Sequence, residues 1–533
     1  GNYNNYIGDI QGPLAFTATD PNFFNQPNGY HPGQVNSAAV INTLFPVNGY
    51  AGKDSQAWVD GKISGPVYQL PAGNINFAAG GELRHESYSI TPSANLADGD
   101  IVGNGVSQSD ASRTTESIYG ELNIPILKNL EASPAVRADK FPDLETHLSP
   151  RLALRYSPTD SLLFRGTIES GFRAPNLVES AESTKIAFLG NTSDPVRCPA
   201  ASALANDYFN LANSATTAAQ AAQYLALGES VSQQTCAFGL EDQTKNNPAL
   251  QPEKSKTISL GLAYEPVKGY KVSVDYWNIN RHGTINDPSA TQLLDGGPIP
   301  PGTTITRAPY NQATDPVFNT AEINLPGAGV QLTGPGGVGC TAQPCGPLLG
   351  LTQELENISD QKTSGIDLGL KTTTKTALGK LTTSLDGTYL IGYYDDSISD
   401  IHDNLAGQYG YSRFTGNFTM SLDSGNISQS VRFNYQSGYA LQLGNEDTTW
   451  SLAGCAQVNF NADQCRVKGA QTVDYFFAYS GIKNLTLSLN LTNVFNQLAP
   501  ADLRYFGVDG IIPTQLQDAE GRMLRVALQY KFK

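Results

Sequence analysis

Six cysteines are the residues of this sequence whose spacing most directly suggests a chemistry. They form three pairs that are close along the chain: Cys198 with Cys236, Cys340 with Cys345, and Cys455 with Cys465. Such pairs are typical of disulfides in an oxidising compartment, although six cysteines formally allow fifteen connectivities. Zinc is the rival ligand, but no histidine lies inside any pair, and no second cysteine pair stands at zinc-finger spacing. We therefore expect three local disulfides.

An acidic segment, residues 393–404, could bind a cation. It contains Asp395, Asp396, Asp400 and Asp403, whose carboxylates could hold calcium or a cationic ferric complex. The spacing of calcium-binding loops is not met, so a solvated acidic loop is the favoured interpretation.

The other patterns with chemical meaning are weak. The five histidines, at positions 31, 85, 147, 282 and 402, have no metal-ligand spacing. The segment GPGGVG at 334–339 matches a dinucleotide fingerprint, but Cys340 and Pro344 continue a loop where that fingerprint needs a helix. No grouping of nucleophile and base indicates a hydrolase. We expect no catalytic residue, no metal site and no cofactor.

Composition limits the classes of partner. The net charge is −15, with 49 acidic against 34 basic residues, so a nucleic-acid partner is not expected. No segment reaches the roughly 18 continuous apolar residues that a membrane-spanning helix needs. Any membrane crossing must therefore use a closed barrel of strands.

Apolar and polar residues alternate with a period of two in many segments, which predicts strands. Within 484–496, Leu485, Leu487, Leu489 and Leu491 share one face, and polar residues occupy the other. A soluble β-sandwich would also alternate. Tight turns that alternate with much longer loops favour an outer-membrane barrel instead.

Strand boundaries follow from this pattern. The tight turns are predicted at 158–160, 267–269 and 377–379. About fifteen strands of roughly ten or more residues, the length of a tilted crossing, are predicted at 55–68, 75–91, 114–126, 131–140, 148–157, 161–173, 253–265, 269–281, 358–373, 379–394, 409–423, 425–438, 470–482, 484–496 and 520–532. Residues 1–16 could add another. The long loops are 176–252, 282–357, 439–469 and 497–519; the first three hold every cysteine, and a short helix is expected within 201–228.

The segment 148–180 resembles the most recognisable part of TonB-dependent receptor barrels. A family strand ends in a phrase like GFRAP, followed by a small residue, Leu and Glu. Here the phrase is filled by Gly171, Phe172, Arg173, Ala174, Pro175, Leu177 and Glu179. Other segments look like family phrases in family order: ELNIPILKNLE at 121–131, NPALQPEKSKTISLGLAY at 247–264, SGIDLGL at 364–370, NYQSGY at 434–439 and NLTNVFN at 490–496. The last strand is similar to the family's terminal strand, except that Lys533 follows the aromatic Phe532.

The resemblance implies an all-β, transmembrane antiparallel barrel with the family's 22-stranded architecture. The strand at 55–68 would be about the eighth of these, counted back from the terminal strand. The sequence opens at Gly1 without a leader, and neither a plug domain nor a TonB box is recognised in it. Residues 1–533 are therefore expected to be a partial barrel domain, with the plug and the first strands absent.

The resemblance also implies a function: energy-dependent uptake, across the outer membrane, of a scarce nutrient such as a ferric siderophore, cobalamin or an oligosaccharide. The implied partners are the TonB–ExbB–ExbD complex, acting through a plug, together with outer-membrane lipid and lipopolysaccharide. A plugless passive porin and a structural or enzymatic outer-membrane barrel are the alternatives.

Roles for individual residues are limited. Arg173 is expected to form a structural salt bridge or to anchor a loop rather than to contact ligand. Arg165, Thr167 and Glu169 are expected to face the lumen, and Phe164 and Ile168 the lipid. The sequence does not identify the ligand-binding residues.

Overall fold

The alternating segments form strands in the structure, which is a computed structural model. It describes residues 31, 33–44, 46–99, 101, 105–181, 183–294, 296, 299–310, 315, 317–318, 345–397, 402–445, 447, 450–457, 460–504 and 521–532. In chain order the strands are β1 (Tyr50–Leu70), β2 (Gly73–Pro92), β3 (Val106–Leu127), β4 (Leu130–Lys140), β5 (His147–Thr159), β6 (Leu162–Arg173), β7 (Ser183–Thr192), β8 (Phe238–Lys245), β9 (Glu253–Val267), β10 (Tyr270–Asn286), β11 (Thr304–Arg307), β12 (Leu348–Glu354), β13 (Glu356–Thr376), β14 (Gly379–Asp395), β15 (Phe414–Ser424), β16 (Ile427–Gln436), β17 (Tyr439–Ala440), β18 (Arg466–Val467), β19 (Ala470–Ile482), β20 (Leu485–Thr492) and β21 (Met523–Tyr530).

Helices are few in the described residues, and most of them are short. They are α1 (Ala38–Leu44), α2 (Ala94–Ala97), α3 (Leu177–Ser180), α4 (Cys198–Ser214), α5 (Ala218–Thr235), α6 (Ala290–Leu294) and α7 (Leu452–Gln457). The single short helix predicted within 201–228 is wrong, because this segment belongs to two helices that together run from Cys198 to Thr235. The helical conformation is interrupted at residues 215–217. The Thr217 side chain caps α5 by accepting a hydrogen bond from the Gln220 N–H, at 3.3 Å.

Fifteen long strands form one antiparallel sheet. Each pairs with the next in the order β1 to β6, then β9, β10, β13 to β16, and β19 to β21. These are the fifteen strands that the alternating pattern predicts; the one expected at 409–423 begins later, at Phe414. The suggested strand at 1–16 lies outside the described residues, as does the 334–339 segment.

Short turns lie at one end of this sheet and long excursions at the other. Two residues separate β5 from β6, β9 from β10, and β13 from β14. Gly269 (φ 92°), Gly425 (φ 60°) and Asn484 (φ 62°) occupy the left-handed conformation that such hairpin turns require. We call the end with the turns the turn end and the opposite one the loop end.

The two faces of the sheet differ in polarity. On β6, Phe164 and Ile168 lie opposite Tyr156 and Leu152 of β5, so apolar side chains align across strands on one face. Ile168 is 54% exposed although it lies in the middle of the sheet. A soluble sandwich would bury such residues against a second layer, whereas an outer-membrane barrel exposes them to lipid. We call this face the lipid face and the polar face the lumenal face.

The buried apolar clusters of the described residues lie in the excursions rather than on the sheet. One joins α4 and α5 through Leu204, Tyr208 and Val231. A second contains Leu240 of β8 and Leu351 of β12. The loops at the loop end therefore fold as a packed layer of their own.

Short strands missed by the sequence pattern organise this layer. The first residues of β3 pair with β7, β7 pairs with β8, and β8 pairs in parallel with β12, which also pairs with β11. The predicted loops 176–252 and 282–357 thus share one small sheet, which we call the outer sheet.

The long sheet has two edges in the described part of the chain. There β1 pairs with β2 only, and β21 pairs with β20 only. Among the helices that the structure describes, none is both long and apolar enough to span a membrane.

Candidate functional site

Arg173, the last residue of β6, bridges two carboxylates at the loop end. Its Nη1 donates to both carboxylate oxygens of Glu179, at 3.0 and 2.8 Å, and its Nη2 donates to Glu253 at 2.6 Å. Glu179 is held in place because it also accepts a hydrogen bond from the Asn176 N–H, at 2.7 Å, while the Asn176 side chain caps α3. The capping box after the GFRAP phrase therefore positions one partner of Arg173.

Glu253, the first residue of β9, is the other partner and is almost completely buried, with 4% of its side chain exposed. It also accepts hydrogen bonds from Arg281 Nη2 at 2.6 Å and from the backbone N–H of Ile285 at 2.9 Å. Arg281 in turn donates to Gln361 of β13, at 2.9 Å. We call the group Arg173, Glu179, Glu253, Arg281 and Gln361 the rim network, since it ties β6, β9, β10 and β13 together.

The remaining residues of the phrase pack around this network. Phe172 lies against His147, with ring centroids 4.0 Å apart. The Pro175 carbonyl accepts a hydrogen bond from Arg113 of β3. Leu177 is buried in α3, and Ala174 precedes the turn into that helix. Gly171 lies beside Ser255, whose Oγ would be 3.0 Å from a Cβ at this position.

An ion pair crosses the lumenal face nearer the middle of β6. Arg165 donates to both carboxylate oxygens of Asp275 on β10, at 2.7 and 2.6 Å. Gly261 of β9 lies between the two strands, and a Cβ there would come within 1.9 Å of the Asp275 carboxylate. The alternation places Thr167 and Glu169 on the face of Arg165 and opposite to Phe164, as predicted.

A polar cleft lies on the lumenal face between β14 and β19. It has a volume of about 430 Å³, and the loop residues Gln497–Ala499 contribute to its wall. The lumenal side chains that line it are Asp386 and Thr388 of β14, Thr415 and Asn417 of β15, Asn434 and Gln436 of β16, and Thr472 of β19. We call it the lumenal cleft. The sequence did not single out these residues, because polar side chains at every second position are what any barrel interior contains.

Hydrogen bonds fix part of the cleft wall. Asn434 donates to Thr472 at 3.1 Å and to Asp474 at 2.8 Å. Thr388 donates to Asp367 of β13, at 2.7 Å. Carboxylates, amides and hydroxyls are thus held at set positions, and such a surface can bind a polar ligand through several hydrogen bonds.

Disulfides brace the loop-end layer. Cys198 is bonded to Cys236 at the two ends of the α4–α5 pair, and Cys455 is bonded to Cys465. Cys345 is also disulfide-bonded, and its predicted partner Cys340 lies outside the described residues. These bonds limit how far the loops can move.

The interpretation of 393–404 as a solvated acidic loop is wrong for two of its carboxylates. Asp395 and Asp403 are buried. Asp395 accepts hydrogen bonds from Gln361 and Tyr393, and Asp403 accepts one from the backbone of Asn445. Protein donors, rather than water, therefore satisfy these groups. Asp400 lies outside the described residues, among which no cluster of three metal-ligating side chains occurs.

Comparison with known proteins agrees with this architecture. A family model described as "TonB dependent receptor-like, beta-barrel" matches residues 1–494, whereas no curated protein matches the sequence. The siderophore receptor PirA from Acinetobacter baumannii has a similar structure, with a TM-score of 0.55 and 15% identity over 90% of this chain and 55% of PirA. A mutant of the ferric enterobactin receptor PfeA from Pseudomonas aeruginosa gives a TM-score of 0.53 and 16% identity, over 90% of this chain and 54% of that one.

This chain thus spans about half the length of the solved structures that it resembles, and at such low identity the likeness shows the fold alone. The family model covers most of the sequence, and the sheet has one apolar, exposed face and one polar face, as a membrane barrel requires. The protein belongs to the TonB-dependent receptor-like β-barrel family, whose members are outer-membrane transporters rather than enzymes.

Proposed function

We propose that the protein is an outer-membrane receptor that takes up a scarce, polar nutrient with energy from the TonB–ExbB–ExbD complex, and that the lumenal cleft contacts this ligand. The main support for this proposal is the lumenal cleft. Its volume of about 430 Å³ lies in the range of small-molecule sites, and its wall offers fixed hydrogen-bonding groups.

A ferric siderophore is the substrate class that we favour over cobalamin or an oligosaccharide. Its support is the likeness to PirA and PfeA, which are described as siderophore and ferric enterobactin receptors. Donor groups such as the Asn417 and Asn434 amides suit the oxygen-rich surface of such a chelate. The rim network contributes by fixing the strand ends, so we assign Arg173 to architecture rather than to ligand binding.

The proposal is tested by uptake in cells that carry variants in the chromosomal gene. Asn417 and Asn434 face each other on β15 and β16, so the double substitution Asn417→Ala and Asn434→Ala removes two amide donors from one side of the cleft. We expect the ligand concentration for half-maximal growth to rise about tenfold, which corresponds to about 1.4 kcal/mol of binding. The probes are ferric enterobactin as the sole source of iron, cobalamin as the sole source of this vitamin, and a maltooligosaccharide as the sole source of carbon.

Ser421→Ala is the matched control, because Ser421 has the parity of Asn417 on β15 but does not line the cleft. It should leave uptake unchanged. Dissipating the proton-motive force should abolish uptake by the unmodified protein. Uptake that persists without this force would mean that the protein acts as a passive porin and not as an energy-dependent receptor. Equal uptake by the double variant and the control would exclude the cleft as the ligand site.

A further inference from the structure

A carboxylate of the outer sheet is buried without an ionic partner. Asp242 of β8 is 7% exposed. From the residues that the structure describes, no Lys, Arg or His forms an ion pair with it. The Gln353 side chain of β12 donates to both of its oxygens, at 3.0 and 3.2 Å. One neutral amide does not compensate a buried charge for its lost water, so a proton or a cation must do so.

Gln353 brings an unsatisfied oxygen to the same place. This residue is 2% exposed, and within the described part of the chain its Oε1 accepts no hydrogen bond. A buried amide oxygen without a partner is unfavourable and rare in folded proteins. Because Nε2 of the same amide contacts the Asp242 carboxylate, a positive partner placed beside that carboxylate would also satisfy Oε1.

The register of the outer sheet adds two more side-chain oxygens. Thr244 lies two residues after Asp242 on β8, and it lies opposite Gln353 in the parallel pairing. The buried Thr244 hydroxyl donates to the Asp287 carboxylate at 3.4 Å. Asp287 directly follows β10 and is exposed, so water reaches the group from that side. We define the oxygen cluster as Asp242, Thr244, Asp287 and Gln353.

The electrostatics of the oxygen cluster favour a positive ion. Burial and the neighbouring Asp287 carboxylate raise the pKa of Asp242, and Gln353 and Lys185 oppose this rise only in part. Lys185 of β7 lies opposite Thr244 and is exposed. It therefore acts on Asp242 from a distance, and the two carboxylates repel each other unless a cation lies close to both.

Calcium is the cation that fits this set of ligands. It takes about six to eight oxygens from carboxylates, amide carbonyls and water in a flexible geometry, whereas magnesium demands a nearly ideal octahedron. The oxygen cluster supplies carboxylate, amide and hydroxyl oxygens, and the exposed side of Asp287 admits water as a further ligand. It contains no histidine or cysteine, the ligands that zinc prefers.

We propose that the oxygen cluster binds a calcium ion, which joins Asp242 and Gln353 of the outer sheet to Asp287 at the end of β10. After Asp287 the chain enters α6, whose Leu293 packs against the outer sheet. Bound calcium thus fastens the loop-end layer to the long sheet. With two carboxylates, the affinity should be about 0.1–1 mM, as in extracellular calcium modules. The sequence pattern shows no such site, because its ligands are far apart along the chain.

Isothermal titration calorimetry of the purified complete protein in detergent tests the inference, with calcium chloride as the probe after EDTA treatment. Asp242→Asn should weaken calcium binding at least tenfold, because it removes the buried charge and keeps the shape of the side chain. Asp287→Asn should weaken it at least threefold, and since Asp287 is exposed, this variant tests the site even if Asp242→Asn perturbs folding. The matched control is Glu241→Gln, which changes an exposed carboxylate on the opposite face of β8 and should leave binding unchanged.

Lys185→Gln distinguishes a calcium site from a carboxylate that is neutralised by lysine. Removing this positive charge should strengthen calcium binding about threefold, whereas weaker binding would overturn the proposal. Absence of binding by the unmodified protein, or equal calcium affinity in Asp242→Asn and Glu241→Gln, would also overturn it. Equally tight binding of magnesium chloride would overturn the assignment to calcium. Because the assay measures ion binding and not uptake, its failure leaves the transport proposal to be judged separately.

Discussion

At the scale of single residues, Glu253 has the most demanding environment of the rim network. It is buried, and its charge is balanced by Arg173 and Arg281 together with the backbone N–H of Ile285. A buried carboxylate is tolerated only when it is paired and hydrogen-bonded. The structure thus gives Arg173 two carboxylate partners, Glu179 and Glu253, which the sequence pattern did not identify.

Arg173→Gln should lower the free energy of unfolding by about 1.5–3 kcal/mol, the range for hydrogen bonds to charged groups. Adding Arg281→Gln should cost more than the sum of the single effects, because Glu253 would then be buried without a cation. Urea titration in lipid vesicles measures this. Arg155→Gln is the control, since Arg155 is half-exposed and 3.6 Å from Glu131; an equal loss in Arg155→Gln and Arg173→Gln would contradict the network.

Arg197 and Asp315 form a buried ion pair, with 2% and 1% of their side chains exposed. Burial raises the pKa of Asp315, but hydrogen bonds from Arg197 and from the backbone of Phe318 and Val317 outweigh it, so this pKa lies below its ordinary value. The pair therefore stabilises the loop-end layer above the ordinary Asp pKa of about 4, and this contribution is lost as the pH falls through the lower folded value.

Limited proteolysis of the α4–α5 pair measures this dependence, and we expect cleavage to accelerate only below about pH 4. Arg197→Met should expose the helices to protease already at neutral pH, because an unpaired buried carboxylate costs about 3–5 kcal/mol. Adding Asp315→Leu should restore most of the resistance. Protection of Arg197→Met equal to that of the unmodified protein would show that the pair does not hold this layer.

The candidate site shows where residue-level prediction stops. The paired cysteines are predictable because both partners of each described disulfide are close in sequence. The cleft residues Asp386, Asn417 and Asn434 could not be predicted from the sequence. A barrel interior needs a polar residue at every second position, whether that residue binds a ligand or water. These three residues differ from other lumenal residues only because the loop residues Gln497–Ala499 lie beside them and complete the wall of the lumenal cleft.

At the scale of elements, the long strands were predictable and the outer sheet was not. Residues Leu485–Thr492 alternate strictly, because one face meets lipid and the other the lumen. In β8, by contrast, Asp242 and Thr244 share the buried face with Leu240, which removes the apolar alternation. The local sequence of β8 therefore does not predict a strand. The strand forms because β8 pairs with β12, which is distant in sequence.

Leu487→Arg tests the orientation of β20, in which Leu487 lies opposite Leu528 of β21. It should cost about 2–4 kcal/mol if the residue lies near the bilayer midplane. Ser488→Arg, one position along, places the charge on the lumenal face and should cost much less. Folding free energies in lipid vesicles measure both, and similar losses would contradict the assignment of faces.

At the scale of the whole molecule, the two edges of the long sheet determine how it can exist in a bilayer. Within the described residues β1 and β21 each have one neighbour, and unpaired backbone groups cannot face lipid. In a bilayer both edges must therefore be paired, with strands outside the described residues or with each other. The twenty-two-stranded architecture of the family favours pairing with other strands.

The 533-residue chain refolded alone should therefore associate through these edges. We expect dimers or larger species in light scattering and leaky, non-selective conductance in bilayers. Val526→Pro, which removes a backbone donor from β21, should reduce the association. A uniform monomer with stable conductance would instead mean that β1 and β21 close on each other, as in a porin.

The parallel pairing of β8 with β12 has a consequence for the order of folding. Thr352 and Gln243, which are hydrogen-bonded across this pair, are 109 residues apart in sequence. Contacts between such distant residues form slowly, because the entropy of closing the intervening chain is lost before any contact compensates for it. The hairpin of β9 and β10 lies between them and can form first from local contacts. The two largest loops thus become one body late in assembly, and until then each is open to proteases and chaperones.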